Sequence, residues 1–447
     1  MATIAPTQTE EARYSNERAW FAVAVLSLAG IVSYIDRQII NLMVEPIKVD
    51  LGVSDLQISL LQGFSFALFY AILAIPLAWI ADRKNRKLVI LFGLICWSGA
   101  TFASGFATVF AVLFIARMLI GVGEATLSPA GFSMISDYFT KEKLPGPISV
   151  FTGSGFIGSG LALLLGGYVY SAFAEMGTTA LPFGTFQPWQ MTFMAVAMLS
   201  IPVFFLLLLV KEPVRREGNV VLAADDAPPA FEVISFLKQH SRVFFPLFFG
   251  FSCFAGAQYG IGAWAPTYFI RVHEWTQLQV GQYFGPVVMV GGLVGVVAGG
   301  FAAERLLARG IDDATLKVPI YAILAALPFA IAFPLVTSPI VALALLAMVI
   351  FLGTIPFGAG VSTFPLITPN RMRAQVLAFY LLIANLLGYS AGPIFIAWLT
   401  DKVFADPQAI DLSLAIAPPV TMAVGLLLIF IALKPHKQMA RAISHGD

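Results

Sequence analysis

Twelve apolar runs, each long enough to cross a bilayer, recur along the 447 residues and constrain everything else about the chain. They lie near 20–41, 55–80, 88–107, 109–136, 145–173 and 188–210, then near 243–270, 277–307, 317–336, 339–367, 372–400 and 413–433. Only 11% of residues are charged, against about 25% in soluble domains. The expectation is an all-α membrane protein of twelve transmembrane helices in two six-helix bundles. Five segments follow: a cytoplasmic N-terminal stretch 1–19, a first bundle 20–210, a polar linker 211–242, a second bundle 243–433 and a cytoplasmic tail 434–447.

The distribution of cations orients the spans. With a cytoplasmic N-terminus, only Lys48, Arg271 and Lys402 fall outside, and Arg37 and Arg117 fall within the membrane. The remaining twenty-one of the 26 Lys and Arg lie inside, as the positive-inside rule demands. The first 18 residues are polar and are not read as a cleaved signal peptide, so the first span acts as its own insertion signal. A bacterial inner membrane is the expected location.

Several classes of function are set aside. A net charge of +1 carries no nucleic-acid signal. Cys96 and Cys253 both lie in apolar runs and read as unpaired packing residues. His240, His273, His436 and His445 are placed in linker, loop or tail, and no metal site, cofactor site or catalytic constellation is expected. The chain is not read as an enzyme. A monomer is expected, with membrane lipids as its surroundings.

Charge inside the apolar runs is where chemistry is sought. Asp36 and Arg37 are adjacent in the first run. Arg117 and Glu124 lie seven positions apart in the fourth, roughly 10 Å along a helix and on one side of it. Ionisable groups at membrane depth usually face a water-filled cavity and serve function. The four are read as an ion-coupled centre, with a static brace between helices as the bland alternative. A carboxylate whose surroundings alternate between dry and wet, with an arginine near or far, can load and release a proton each cycle. Asp36 and Glu124 are the proton carriers on this reading, and Arg37 and Arg117 their counter-ions.

Several motifs carry a family resemblance. Ala78-x-x-x-Asp82-Arg83-x-x-Arg86-Lys87 resembles the signature loop of the major facilitator superfamily, with Ala78 and Asn85 standing where that loop has glycines. Arg117-x-x-x-Gly121-x-Gly123 resembles its fourth-helix motif, linked to proton coupling. Gly153, Gly155, Gly158, Gly160, Gly166 and Gly167 resemble its glycine-rich fifth helix. Tyr34-Ile35-Asp36-Arg37, Gly121-Val122-Gly123-Glu124-Ala125, Lys211-Glu212-Pro213 and Ala263-Trp264-Ala265-Pro266 narrow the likeness to the Spinster branch. Its animal members export sphingosine-1-phosphate or lysophospholipids. They carry a basic residue after a Trp early in the sixth span, where this chain has Trp189-Gln190-Met191-Thr192. The resemblance implies two parallel halves with a substrate site between them near the midplane.

The expected function is proton-coupled secondary transport of an amphipathic lipid-like substrate by alternating access. The alternatives are a carrier of small organic anions or drugs, and a non-transporting receptor or scaffold on the same fold. Ala78 to Arg83 is echoed by Gly300 to Arg305, each ending in acid-Arg. Asp82, Arg83, Arg86, Asp137, Glu304 and Arg305 are therefore expected to form a conformational latch. Arg37 and Arg117, suited to an anionic headgroup, and Glu124, Gln258, Tyr259, Tyr283, Thr354, Asn385 and Tyr389 are the candidate substrate contacts, with Gln282 also polar in that region. The glycines of spans 5 and 8 are read as a rocking interface.

Overall fold

The computed structural model describes residues 15–140, 143–182, 184–215, 229–311, 313–369 and 371–445. Twelve helices among them are long and apolar enough to cross a membrane. The first six spans are Asn16–Leu42, Asp55–Ala74, Arg86–Ser104, Phe110–Tyr138, Pro145–Met176 and Pro188–Leu209. The second six are Ser241–His273, Gln277–Ala308, Ala314–Leu335, Pro339–Leu366, Gln375–Phe404 and Pro407–Met439. In lipid a helix satisfies its own backbone polar groups, so each apolar run closes on itself before it packs.

Four local features depart from the sequence reading. Part of the polar linker is an amphipathic helix, Ala230–Gln239, with Val233 buried and Phe231 exposed. The last helix runs on past its apolar run, from Ile410 to His445, so His436 lies within span 12 and is buried. His273 likewise ends span 7 instead of lying in a loop. A small antiparallel hairpin, Thr179–Leu181 with Gly184–Phe186, joins spans 5 and 6.

Glycine sets how closely the spans approach. Span 5 packs along span 8, from the other half. A Cβ on Gly160 would stand 2.6 Å from the Gly285 carbonyl oxygen, and one on Gly285 2.8 Å from that of Gly160. Small residues here bring the two backbones into contact. Further along span 8 the sequence reading is corrected. Gly295 and Gly299 face the backbone of span 10, where a Cβ would meet Phe351 O and Ile355 O at 2.3 Å. They tighten the second half internally and do not form the interface between halves.

Irregular turns sit at membrane depth. Span 1 tightens to a 3-10 turn at Ile39–Leu42, and span 2 carries a π-turn at Leu60–Phe64. Span 4 breaks just after Glu124, between its helices Phe110–Glu124 and Leu127–Tyr138. Such breaks release backbone carbonyls that need donors, and they surround the buried charges.

Candidate transport site

Consecutive helical residues point about 100° apart, and that rotation separates Asp36 from Arg37. Asp36 is fully buried and accepts a hydrogen bond from Ser98 Oγ of span 3 at 3.4 Å. Its other oxygen has no hydrogen-bond partner. Arg37 turns toward span 4 instead. Its Nε donates to Glu124 Oε2 at 2.9 Å, and its Nη2 completes the ion pair with the same oxygen. Its Nη1 donates to the Tyr389 hydroxyl of span 11 at 3.0 Å. The guanidinium lies 4.1 Å from the Phe66 ring centre and 4.6 Å from that of Tyr34, within cation–π range. The pairing read from sequence, Asp36 with Arg37 and Arg117 with Glu124, is therefore replaced by Arg37 with Glu124.

Arg117 does something else. It is fully buried, and its three hydrogen bonds go to main-chain carbonyls: Leu61 O at 3.1 Å, Asp36 O at 3.2 Å and Arg37 O at 2.9 Å. Asp36 O and Arg37 O end the α-helical part of span 1, just before its 3-10 turn, and Leu61 O lies in the π-turn of span 2. Arg117 adds donors to carbonyls beside both turns, and Leu61 O also accepts from Ser65 Oγ at 3.3 Å. It does not line the cavity between the halves described below, so the expectation that it meets the substrate does not match its position.

Tyr389 is placed by span 11 itself. Pro393 has no N–H to give its carbonyl four residues back, which leaves Tyr389 O to project from the helix. Gly63 in the π-turn of span 2 lies against it so closely that any Cβ would overlap it. The Tyr389 ring stacks on Tyr259 at 3.8 Å. Gln62 crosses the same interface and donates from Nε2 to Ala263 O at 3.0 Å.

Between the halves lies a cavity of about 400 Å³. Tyr34, Arg37, Gln38 and Asn41 line it from span 1, at helical spacing, with Gln62 from span 2. Gln258, Tyr259, Thr354 and Tyr389 line it from the second half. Phe156, Leu163, Val288, Val296, Ile350 and Phe357 make its apolar wall. Other expected contacts lie elsewhere. Tyr283 is half-exposed against Trp275, Gln282 holds the Tyr168 hydroxyl at 2.9 Å, and Asn385 is not part of the lining. Glu124 lines a separate chamber behind Arg37. Gln38, Asn41 and Gln62 were missed by sequence reading, although the first two follow Arg37 on its own helix face.

At the end carrying the loop between spans 2 and 3, Arg86 is buried in a knot within the first half. It pairs with Asp137, donates from Nε to Glu212 Oε1 at 2.8 Å and from Nη1 to Ser133 Oγ at 2.9 Å, and reaches Pro213 O at 2.8 Å. Glu212 was read as linker and not as a partner. Arg83 stacks on Trp79 at 4.1 Å, and the Asp82 side chain lies outside the described residues. Glu304 and Arg305 are exposed and in no ion pair among the described residues. The second copy of the acid-Arg motif thus makes no latch in this conformation.

The ion pairs that bind the halves lie at the opposite end. Arg271 of span 7 holds Asp55 with two bonds of 2.7 Å and Glu45 with a third of 2.7 Å. Lys48 also pairs with Asp55. Asp401 of span 11 accepts from the Leu56 N–H at 2.6 Å. This cluster ties the segment between spans 1 and 2 to spans 7 and 11 of the other half.

The sequence profile of the Major Facilitator Superfamily matches residues 26–393. The chain belongs to that superfamily. It is an integral multi-pass membrane transporter, not an enzyme, and proteins of the Spinster branch are among its relatives. It is 26% identical over 422 residues to an MFS-type efflux pump of Mycolicibacterium smegmatis, covering 94% of each chain. It is 26% identical over 402 residues to a sphingosine-1-phosphate transporter of Danio rerio, covering 86% of this chain and 76% of the relative. Its fold superposes on a bacterial homolog of the human lysosomal transporter Spinster, solved inward-facing and unoccupied, with TM-score 0.78 and 24% identity. That superposition covers 96% of this chain and 98% of the other.

Proposed function

We propose that the chain is a proton-coupled secondary transporter that moves an amphipathic, lipid-like substrate by alternating access. One observation carries the proposal: Arg37 lines the cavity while bonded both to Glu124 of its own half and to Tyr389 of the other. Protonating Glu124 removes the charge that holds Arg37. The guanidinium is then free to meet an anionic headgroup or to release span 11, so proton, substrate and conformation converge on one side chain. Asp36 is a second buried carboxylate on the same helix, and Arg117 holds both helices in register.

The cavity supports the substrate class. Amide and hydroxyl groups share it with a long aliphatic and aromatic wall, which suits a polar head joined to a chain. With the N-terminus cytoplasmic, the Arg271 cluster lies outside and the molecule faces inward. The segments 20–210 and 243–433 act as the two moving bodies, hinged along spans 5 and 8. Asp82, Arg83, Arg86 and Asp137 close the inner side in the opposite state, together with Glu304 and Arg305.

The likeness to an efflux pump favours a second reading, a drug or organic-anion carrier. Proteoliposomes carrying an internal pH dye separate the two. A lysophospholipid should move protons on addition, and a short-chain carboxylate should not. Proton movement with the carboxylate alone would give the second reading the field. No movement with either, from protein shown to be folded, would favour a non-transporting scaffold.

A further inference from the structure

Behind Arg37 lies a chamber of about 110 Å³, separate from the central cavity. Tyr34, Arg37 and Thr152 form the partition, since they line both spaces. Ser33, Tyr70, Ser128 and Ser154 give the chamber hydroxyls on several sides, and Phe132 and Phe151 meet edge to face at another wall. A water's share of liquid volume is about 30 Å³, so the space suits roughly three. Glu124 faces it. Its Oε2 takes both bonds from Arg37, while Oε1 accepts no well-formed hydrogen bond, with the Ser33 hydroxyl beside it. A buried carboxylate oxygen beside a chamber that hydroxyls enter from several sides is a place where water is held.

We propose that this chamber is hydrated and delivers the proton to Glu124 by a route distinct from the cavity that takes the substrate. The inference rests on the reading that Glu124 carries the coupling proton. The separation has a physical use. A lipid chain in the central cavity displaces the water a proton would travel through, whereas three waters and four hydroxyls behind Arg37 stay connected to Glu124 while the substrate is bound. The proton taken up converts the carboxylate to its neutral acid, and release returns it to the same waters. The charged and titratable groups facing Glu124 are Tyr34, Asp36 and Arg37 on span 1, Tyr70 on span 2 and Arg117 on its own span, with Tyr389 of span 11 reaching it through Arg37. Span 5 contributes only Phe151, Thr152 and Ser154 to the chamber.

The test follows the Glu124 carboxyl stretch by infrared spectroscopy after a jump to acid pH, using the full-length protein and no substrate. Glu124→Gln assigns the band. Ser128→Leu fills the chamber, and Gly262→Leu fills the central cavity, where nothing lies within 4 Å of the position a Cβ would take. The Glu124 band should rise more slowly by about tenfold or more in Ser128→Leu and at the wild-type rate in Gly262→Leu. If Ser128→Leu does not fold, Ser128→Cys, in a background lacking Cys96 and Cys253, is blocked after purification with a thiol reagent and should slow in the same way. Slowing in Gly262→Leu with none in the chamber variants overturns the separate route and leaves Glu124 as the carrier. A band that Glu124→Gln does not remove, at any pH, overturns the coupling reading itself and this inference with it.

Discussion

Two guanidiniums lie buried in the first half within reach of the same turn of span 1, and they are satisfied in opposite ways. Arg117 bonds three main-chain carbonyls, which cannot change charge. Arg37 bonds a carboxylate and a phenol, one from each half. The first arrangement is fixed for as long as the chain is folded. The second can be dissolved by one proton. Burial alone therefore does not mark an arginine as functional; the titratability of its partner does.

Removing Arg117 should do the most damage to the fold. Arg117→Ala removes three hydrogen bonds to buried main-chain carbonyls beside the irregular turns of spans 1 and 2, of which Leu61 O keeps Ser65 Oγ at 3.3 Å, a loss of about 3–5 kcal/mol. Thermal unfolding in detergent measures it. A variant as stable as wild type would abolish the distinction between the two arginines.

Arg271 extends the comparison to a third buried guanidinium, whose carboxylate partners belong to the other half. Arg271→Ala should shift the balance toward opening on that side by about 1–3 kcal/mol. Spin labels at the exposed positions Val49 and Val403 should show a longer distance population, without the loss of fold expected of Arg117→Ala. An unchanged distribution would leave the cluster without a role in closure.

The smallest effect is expected at Tyr389. Tyr389→Phe keeps the ring stacked on Tyr259 and removes one hydrogen bond to Arg37, worth about 0.5–1.5 kcal/mol. Melting should fall slightly, and the same spin-label pair should report a modest redistribution. A loss as large as that of Arg117→Ala would mean that Tyr389, and not Glu124, holds Arg37.

Much of the architecture was legible in the sequence because one force writes it. Apolar runs near bilayer length recur twelve times, and the observed helices begin and end within a few residues of most of them. The buried charges were legible for the same reason, since so few interrupt those runs. Their pairing was not. Adjacency suggested Asp36 with Arg37, but helical rotation sends them to different neighbours. Spacing suggested Arg117 with Glu124, but main-chain carbonyls beside the irregular turns of spans 1 and 2 claim Arg117. Arg271 and Asp55 lie 216 positions apart, and no local pattern joins them. Among polar residues of the second half, Tyr283 and Asn385 could not be told from Gln258 and Tyr259, because lipid-facing and cavity-facing surfaces are both largely apolar. Asp137 was placed with the loop between spans 2 and 3 as a group, without Arg86 singled out as its partner, and Glu212 was hidden in what read as linker.

The titratable pair of Arg37 and Glu124 is tested most directly by Glu124→Gln in reconstituted vesicles, with a fluorescent lysophospholipid followed in two modes. Glutamine keeps the shape of the neutral acid and cannot exchange a proton. Exchange of labelled for unlabelled lipid without a pH gradient should continue, and accumulation driven by a pH gradient should vanish. Gradient-driven accumulation at the wild-type level would show that Glu124 is not the coupling carboxylate, and that its pairing with Arg37 is as static as the bonds of Arg117.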